Sequence, residues 1–285
     1  MQTSIDCIAC FVRQALDAAR FFSEDSVVHE RIVREVLEST ARMEWNEPPP
    51  VVGQRIHRRL RELTGHADPY RAVKERHNRM ALALLPELAA RIDHAEDPFA
   101  LAVHLAITGN IIDLGVNGQL TEAHVHESIE TALARPLVGD LEGLRSAVTE
   151  ASNILYLADN AGEIVFDRLL VEQLDPSRVT VAVRGQAVLN DATRREAESA
   201  GMTDLVEVID NGTDAPGTIL GDCSEAFRAR FEQADLVIAK GQGNYETLSK
   251  ARKAIYFLFM VKCPVIAADA DHPVGTHLIV NGTGL

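Results

Sequence analysis

The chain has 285 residues, of which 46% are hydrophobic, so it can bury a sizeable core and is not disordered overall. Forty-two acidic residues against 28 basic ones give a formal charge of -14, and a field of this sign repels nucleic acid and anionic membrane surfaces. We therefore expect no nucleic-acid or membrane partner, and a phosphorylated ligand would need local positive charge.

The apolar runs do not predict membrane insertion or export. The longest, from Ala254 to Val261, is far shorter than the roughly 18 residues that suggest a spanning helix. The N-terminus carries Asp6 where a signal peptide would carry basic residues. The sequence predicts a cytoplasmic protein, in which Cys7 and Cys10 stay reduced.

Residues 1 to about 148 have the pattern of helices. Apolar positions recur at intervals of three and four residues in CFVRQALDAARFF and RMALALLPELAARI, whereas strand-like runs are scarce. Cys7 and Cys10 form a lone CxxC, which is half of a four-cysteine zinc site. We favour burial of both thiols as small hydrophobic groups over a metal or redox role.

After about residue 150 the pattern changes to short apolar runs that alternate with helical stretches. The runs are ILYLA, VTVAV, LVEVI, DLVIA and PVIAA, and this alternation indicates parallel strands with crossover helices. The sequence thus predicts an α/β protein with two parts. A helical N-terminal domain at residues 1–148 precedes a Rossmann-like, doubly wound, mostly parallel sheet at residues 149–285.

Polar residues follow the first two of these strands. Asp159 and Asn160 come directly after ILYLA, and Asp191 follows VTVAV. In an open α/β sheet, ligands bind outside the carboxyl ends of the strands, and carboxylate and amide oxygens suit Mg²⁺ or Mn²⁺. The alternative is that each residue caps the helix that follows, and for Asp159 and Asn160 taken alone we favour the cap.

A basic residue stands at the end of the fourth strand. Lys240 ends DLVIA and precedes Gly241-Gln242-Gly243, so it can act as a point charge on phosphate beside a turn that permits close backbone approach. The same glycines begin a dinucleotide fingerprint. That signal is weak, because Glu246 replaces the third small residue and the strand is a late one.

Taken together, DNAGE, RGQAVLNDAT, DNGTDAPGT and KGQGNYETL, with AITGNIIDLG upstream and the early CxxC, resemble the damage-control phosphatase family, first described as domain of unknown function 89. The resemblance runs from Cys7 to Val280, and the CxxC resembles the small microbial branch. It implies a helical region on a Rossmann-like domain. It also implies metal-dependent hydrolysis of small phosphorylated metabolites, such as sugar phosphates or damaged phosphometabolites, with Mn²⁺, Ni²⁺, Co²⁺ or Mg²⁺ as activator.

The resemblance also assigns roles to individual residues. The family's metal pair falls on Asp159 and Asn160, and its second metal aspartate falls on Asp191. Its phosphate-facing lysine falls on Lys240. Its Gly-Asn-x-x-Asp motif matches Asn110 and Asp113, which are expected on the substrate side of the cleft, and Arg184 in RGQAVLNDAT is a further candidate for substrate binding.

The mechanism stays open at this level. Asp159 or Asp191 could act as a base or as a covalent nucleophile, while Lys240 stabilises the charge that develops on phosphate. One alternative is methyl transfer from S-adenosylmethionine, which predicts a glycine-rich turn after the first strand and fits Asp159-Asn160-Ala161-Gly162-Glu163 poorly. The other is a non-catalytic module that senses a metal or nucleotide with the same residues.

Overall fold

The structure is a computed structural model that describes residues 1–110 and 122–282. Among these residues it forms twelve α-helices, and no described helix is long and apolar enough to cross a membrane. The helices are α1 (Asp6–Phe22), α2 (Ser26–Ala41), α3 (Pro49–Thr64), α4 (Arg71–Asp93), α5 (Pro98–Thr108), α6 (Glu122–Leu133), α7 (Leu141–Glu150), α8 (Glu163–Gln173), α9 (Arg194–Ser199), α10 (Glu225–Gln233), α11 (Gly241–Leu248) and α12 (Pro264–Ala270).

Seven strands form one sheet in the order β1-β7-β6-β5-β2-β3-β4. All neighbouring strands are parallel except β6 and β7. The chain moves outward from β2 to β4 and returns to β5 on the other side of β2, so the strand order reverses between β2 and β5, where such folds bind ligands. The strands are β1 (Leu137–Gly139), β2 (Ile154–Leu157), β3 (Val179–Val183), β4 (Glu207–Asp210), β5 (Leu236–Lys240), β6 (Ile255–Met260) and β7 (His277–Asn281).

Helices cover both faces of the sheet because its strands are apolar on both faces. In β2, Ile154 and Tyr156 belong to one core with α5 and α8, whereas Leu155 and Leu157 belong to another with α10, α11 and α12. This alternation follows from the two-residue period of a strand. The predicted α/β fold with a doubly wound, mostly parallel sheet is confirmed.

The helices of the N-terminal half belong to two different cores. Phe11, Ile32 and Ile56 represent a separate cluster within α1, α2 and α3, while α4 and α5 pack into the core of the sheet. Strand β1 lies before residue 149 and pairs with β7. The predicted division at residue 148 stays a prediction.

One predicted strand is wrong. PVIAA forms the start of helix α12, with Pro264 in its first turn, and the sixth strand is the preceding run Ile255–Met260. A run of a few apolar residues has no period that separates strand from helix, and proline is favoured in the first turn of a helix. The difference moves Lys262 and Cys263 from the start of a strand to the turn that follows one.

Candidate active site

A cavity of about 430 Å³ lies at the carboxyl ends of β2, β3, β5 and β6. Asp159, Asn160 and Asp191 line it on the side of the sheet. Helix α1 forms another part of the wall through residues such as Phe11 and Gln14. The cavity therefore lies between the sheet edge and the N-terminal helices, at the reversal of strand order.

The loops after β2 and β3 are joined by backbone hydrogen bonds. Asn160 and Asp191 form an isolated β-bridge, and the Ala192 amide donates to the Asp159 carbonyl at 2.7 Å. All three predicted metal ligands are buried, and Asn160 Nδ2 donates to Asp159 Oδ2 at 3.0 Å. The structure thus brings Asp159, Asn160 and Asp191 together, while their role in metal binding stays a prediction.

None of these three side chains caps a helix. The residue before α8 is Gly162, which makes no side-chain cap, and its amide donates to Asn78 Oδ1 at 2.6 Å. Helix α9 is capped by Thr193, in a capping box with Glu196. The helix-cap alternative is therefore wrong, and the polar groups after β2 and β3 are available for another function.

Arg184 lies behind the two carboxylates and is not on the cavity wall. Its Nε donates to Asp191 Oδ2 at 2.6 Å, and its NH2 group lies 3.4 Å from Asp159 Oδ1. Burial raises the pKa of Asp159 well above its ordinary value, and the charges of Asp191 and Glu163 raise it further, against the opposing charge of Arg184. The charge of Arg184 thus does not offset the combined effect of burial and of the neighbouring carboxylates on Asp159.

Lys240 is completely buried below this pair. Its ammonium donates to the Ala106 carbonyl at 2.8 Å, to Glu163 Oε1 at 2.7 Å and to Asp167 Oδ1 at 2.5 Å. Burial lowers the pKa of Lys240, but the charges of Asp167 and Glu163 raise it by more. A direct contact with substrate phosphate would require the ammonium to leave these acceptors, and that role stays a prediction.

Glu163 links this buried lysine to the cavity residues. Its Oε2 accepts from Asn110 Nδ2 at 2.7 Å and from Asn160 Nδ2 at 3.4 Å, while its Oε1 binds Lys240. Asn110 is buried beside Glu163 and is not on the cavity wall. Asp113 lies outside the described residues. The sequence analysis gave Glu163 no role, although its place in the first turn after Asp159 and Asn160 was a signal.

Gly241 allows helix α11 to begin directly against Asp159. Its φ of +78° lies in the region that favours glycine, and a Cβ at this position would lie 1.9 Å from Asp159 Oδ2. The backbone at this turn therefore comes close to a side chain of the candidate site, Asp159.

Three cysteines reach the same cavity. Cys7 and Cys10 line it from α1, and Cys263 lines it from the turn before α12. The preferred expectation of burial is wrong for Cys10, which is exposed, and Cys7 is half-buried.

Fold and cavity together define a Rossmann-like α/β protein with a polar site at the carboxyl edge of its sheet, and comparison with known proteins identifies its family. The damage-control phosphatase ARMT1-like domain matches residues 3–278, so the chain belongs to this family. A damage-control phosphatase of Archaeoglobus fulgidus is 35% identical, with 96% of this chain and 97% of the relative covered. A damage-control phosphatase of Pyrococcus horikoshii is 33% identical, with 96% of each chain covered.

A solved structure agrees with these relatives. The crystal structure of a DUF89 family protein from Pyrococcus horikoshii matches with a TM-score of 0.89 at 31% identity, and the match covers 99% of each chain. The predicted family and the predicted phosphatase activity are confirmed by these comparisons.

Proposed function

We propose that this phosphatase hydrolyses phosphate monoesters of small metabolites with a divalent cation held by Asp159, Asn160 and Asp191. The observation that supports this most is the joining of the loops after β2 and β3, which places two buried carboxylates and an amide on one cavity wall. Sugar phosphates and damaged phosphometabolites are the proposed substrates, as the family resemblance implies.

The residues present fit a divalent cation. Within the part of the chain that the structure describes, no three His, Cys, Asp or Glu side chains form a metal-binding group, and the proposed set contains the Asn160 amide. With all four of its carboxyl groups ionised, the buried ionic set has an excess of two negative charges, which fits a hard cation of charge two. In this set Asp159 and Asp191 pair with Arg184, and Glu163 and Asp167 pair with Lys240.

When bound, such a cation would neutralise charge on the phosphoryl oxygens and orient water, and Mn²⁺, Ni²⁺, Co²⁺ and Mg²⁺ are the proposed activators. The chain's own residues hold the site in place. Arg184 fixes both carboxylates through its contacts with Asp159 and Asp191. Glu163 fixes the Asn160 amide.

The reaction forms a bond from a water oxygen to phosphorus and breaks the bond from phosphorus to the ester oxygen, which receives a proton. Asp159 or Asp191 either accepts the water proton or attacks phosphorus first as a nucleophile. Acid quenching during turnover separates the two routes, because only the second leaves phosphate covalently bound to the chain.

Two finer features of the family resemblance remain part of the proposal. We place the chain in the small microbial branch because Cys7 and Cys10 form its CxxC at the cavity. We keep the boundary between residues 148 and 149 as the proposed division of the chain, and limited proteolysis near this position tests it.

A screen of phosphate esters against divalent cations tests the proposed activity. We expect phosphate release that requires one of the four cations and stops when a chelator is added. Asp93→Asn is a matched control, because Asp93 is an exposed aspartate at the end of α4, outside the cavity. Release that is unaffected by chelation would contradict metal dependence, and no release from any ester would contradict the substrate class.

A further inference from the structure

Three of the four cysteines line the cavity of the candidate site, and they approach it from two separately packed parts of the fold. Cys7 and Cys10 belong to α1, and Cys7 packs against the cluster that α1 forms with α2 and α3. Cys263 precedes α12 and packs against a core of the sheet, in which the fourth cysteine, Cys223, is buried. The cavity thus brings together thiols from the N-terminal helices and from the sheet.

The sulfurs of Cys10 and Cys263 each lie beside an amide of the cavity wall. Gln14 Nε2 donates to Cys10 Sγ at 3.6 Å, and Gln242 Nε2 donates to Cys263 Sγ at 3.6 Å. Both glutamines line the cavity. Cys10 is exposed and Cys263 is half-buried, so a small reagent in solvent can reach Cys10 first.

The thiols also act on one another electrostatically. Desolvation raises the pKa of the Cys10 thiol, and the largest effect of a charge on it comes from Cys263, ahead of Cys7. Desolvation also raises the pKa of the Cys7 thiol, but there the charge of Glu246 has a larger effect than that of Cys263. A disulfide carries no charge, so a place that disfavours thiolates favours the oxidised pair once it has formed.

Helix geometry disfavours a disulfide within the CxxC itself. Side chains three residues apart on a helix have Cβ atoms roughly 5–6 Å apart, whereas a disulfide needs about 3.5–4.5 Å. Cys7 and Cys10 both lie within α1, so a bond between them would distort its first turns. Cys263 lies between β6 and α12, outside both elements, where the backbone can adjust more readily.

We propose that Cys10 and Cys263 form a reversible disulfide across the cavity, which ties α1 to the sheet edge and slows turnover. The Cys10 thiolate attacks a low-molecular-weight disulfide such as cystamine, and one small thiol leaves. Cys263 then attacks the Cys10 sulfur of the mixed disulfide, and the second small thiol leaves. The two cysteines lose two electrons to the small disulfide, and their two protons go to the small thiols that it releases.

The disulfide acts on turnover because substrate has to enter a cavity that α1 helps to enclose. Gln242 donates to Cys263 and follows Gly241, which packs against Asp159, so the bridged sulfur lies close to the candidate site. This effect on turnover rests on the proposed function, whereas the disulfide itself does not. In the reducing compartment that the sequence predicts, the pair stays as two thiols until conditions become oxidising.

The test compares the reduced chain with the chain oxidised by cystamine. We expect the wild type to lose two of its four free thiols, and tryptic mapping should join the peptide that carries Cys7 and Cys10 to the peptide that carries Cys263. With p-nitrophenyl phosphate and saturating Mn²⁺, kcat/KM should fall about 10-fold on oxidation and recover after dithiothreitol treatment. The oxidised chain should also unfold at a higher urea concentration, because the disulfide closes a long loop.

Cys7→Ser is the matched control, because it removes a thiol from the same cavity and leaves the proposed pair. It should form the crosslink as the wild type does, whereas Cys10→Ser and Cys263→Ser should each abolish the crosslink and the effect of oxidation on kcat/KM. A wild type that keeps its four thiols, or a crosslink that Cys7→Ser abolishes, would overturn the proposed disulfide.

An unchanged kcat/KM in the crosslinked wild type would overturn the effect on turnover. If the reduced wild type releases no phosphate, the proposed function fails. Thiol mapping and urea unfolding need no turnover, and they still decide whether Cys10 and Cys263 form the disulfide.

Discussion

Two ionic clusters lie at the carboxyl ends of the same strands and differ in what surrounds them. In the Asp159 cluster (Asp159, Asn160 and Asp191), two carboxylates and an amide face a cavity of about 430 Å³. In the Lys240 cluster (Lys240, Glu163 and Asp167), a cation donates to three acceptors away from solvent. Charged residues at one sheet edge can thus form either a candidate site that faces a cavity or a buried cluster that supports it. The direction in which each side chain points decides between the two.

The two clusters are in contact through Glu163. Its carboxylate accepts from Lys240 on one side and from Asn160 on the other. A change in the Lys240 cluster should therefore mainly lower stability, and it should affect activity indirectly, through Asn160. A change in the Asp159 cluster should lower activity with little effect on folding.

The largest effect is expected from Asp191→Asn, which keeps the size of the side chain and removes one charge from the proposed cation site. The lost interactions amount to several kcal/mol of transition-state stabilisation, so kcat/KM should fall about 10³-fold with weaker metal affinity. Folding should stay nearly intact, because an asparagine oxygen can still accept from Arg184. Metal titration and steady-state kinetics measure both effects, with Asp93→Asn as the control, and a wild-type rate with wild-type metal dependence would remove Asp191 from the site.

The next effect concerns a different quantity, because Lys240→Met should lower the free energy of unfolding. Removing the buried cation leaves Glu163 and Asp167 without their partner, and breaking such a buried pair costs about 3–5 kcal/mol of unfolding free energy. Urea unfolding measures this loss, and the control Lys250→Met, at an exposed lysine outside the cavity, should remain within about 0.5 kcal/mol of the wild type.

The same variant tests the family-based role of Lys240 as a phosphate ligand. That role predicts a loss of about 10²–10³-fold in turnover with metal binding retained. An unfolding free energy equal to that of the wild type, together with this loss of turnover, would show that the ammonium leaves its buried acceptors for the substrate.

The Asp159 cluster was predictable because adjacent parallel strands end at the same edge, and polar residues directly after two buried strands must then lie close together. The direction of the Lys240 side chain was not predicted, although the two-residue period of the strand indicates it. Leu236 and Ile238 face the core of α5 and α8, and Lys240, two residues further, points the same way. Its place before a glycine turn suggested instead a residue beyond the strand.

The place of Lys262 on the cavity wall was not predicted, for a different reason. The apolar run from Ala254 to Val261 was judged only for its length as a membrane span, and PVIAA was predicted to be the strand instead. That error placed Lys262 before a strand, at the edge opposite to the site. Glu163 escaped notice because a glutamate in the first turn of a helix has an ordinary explanation in the helix dipole.

Gly241→Ala tests the packing between α11 and the Asp159 cluster. A methyl group here meets the Asp159 carboxylate and must displace it, in addition to the backbone strain of about 1–2 kcal/mol at positive φ. We expect kcat/KM to fall about 10²-fold, because a small misplacement of a reacting group has costs of this size.

Gly65→Ala is the matched control for the backbone alone. Gly65 has a φ of +70°, and a Cβ there would have nothing within 4 Å. Both variants should therefore lose stability from strain, and Gly241→Ala alone should lose activity. Equal activity in the two variants would show that Asp159 can move without consequence for the reaction.

The smallest effect is the pH dependence of stability that the Lys240 cluster should cause. Burial raises the pKa of Asp167 from its ordinary 3.8 to about 6, and the charge of Lys240 opposes this rise. Between these two pH values the folded carboxyl keeps a proton that the unfolded one has lost. The folded state then binds more protons, so stability falls as the pH rises from about 4 to about 6.

Asp167→Asn should remove this part of the pH dependence, because its amide does not titrate and its oxygen can still accept from Tyr156 and Lys240. Urea unfolding of wild type and variant across this range measures the difference between the two curves. Burial also raises the pKa of Glu246, to about 7, but that contribution is common to both proteins and cancels in the difference. Parallel curves between pH 4 and pH 6 would show that Asp167 is already ionised in the folded protein, with Lys240 then outweighing burial. In that case Asp167 would keep its negative charge across this pH range, and its part in the excess of two charges assigned to the proposed cation would not depend on pH.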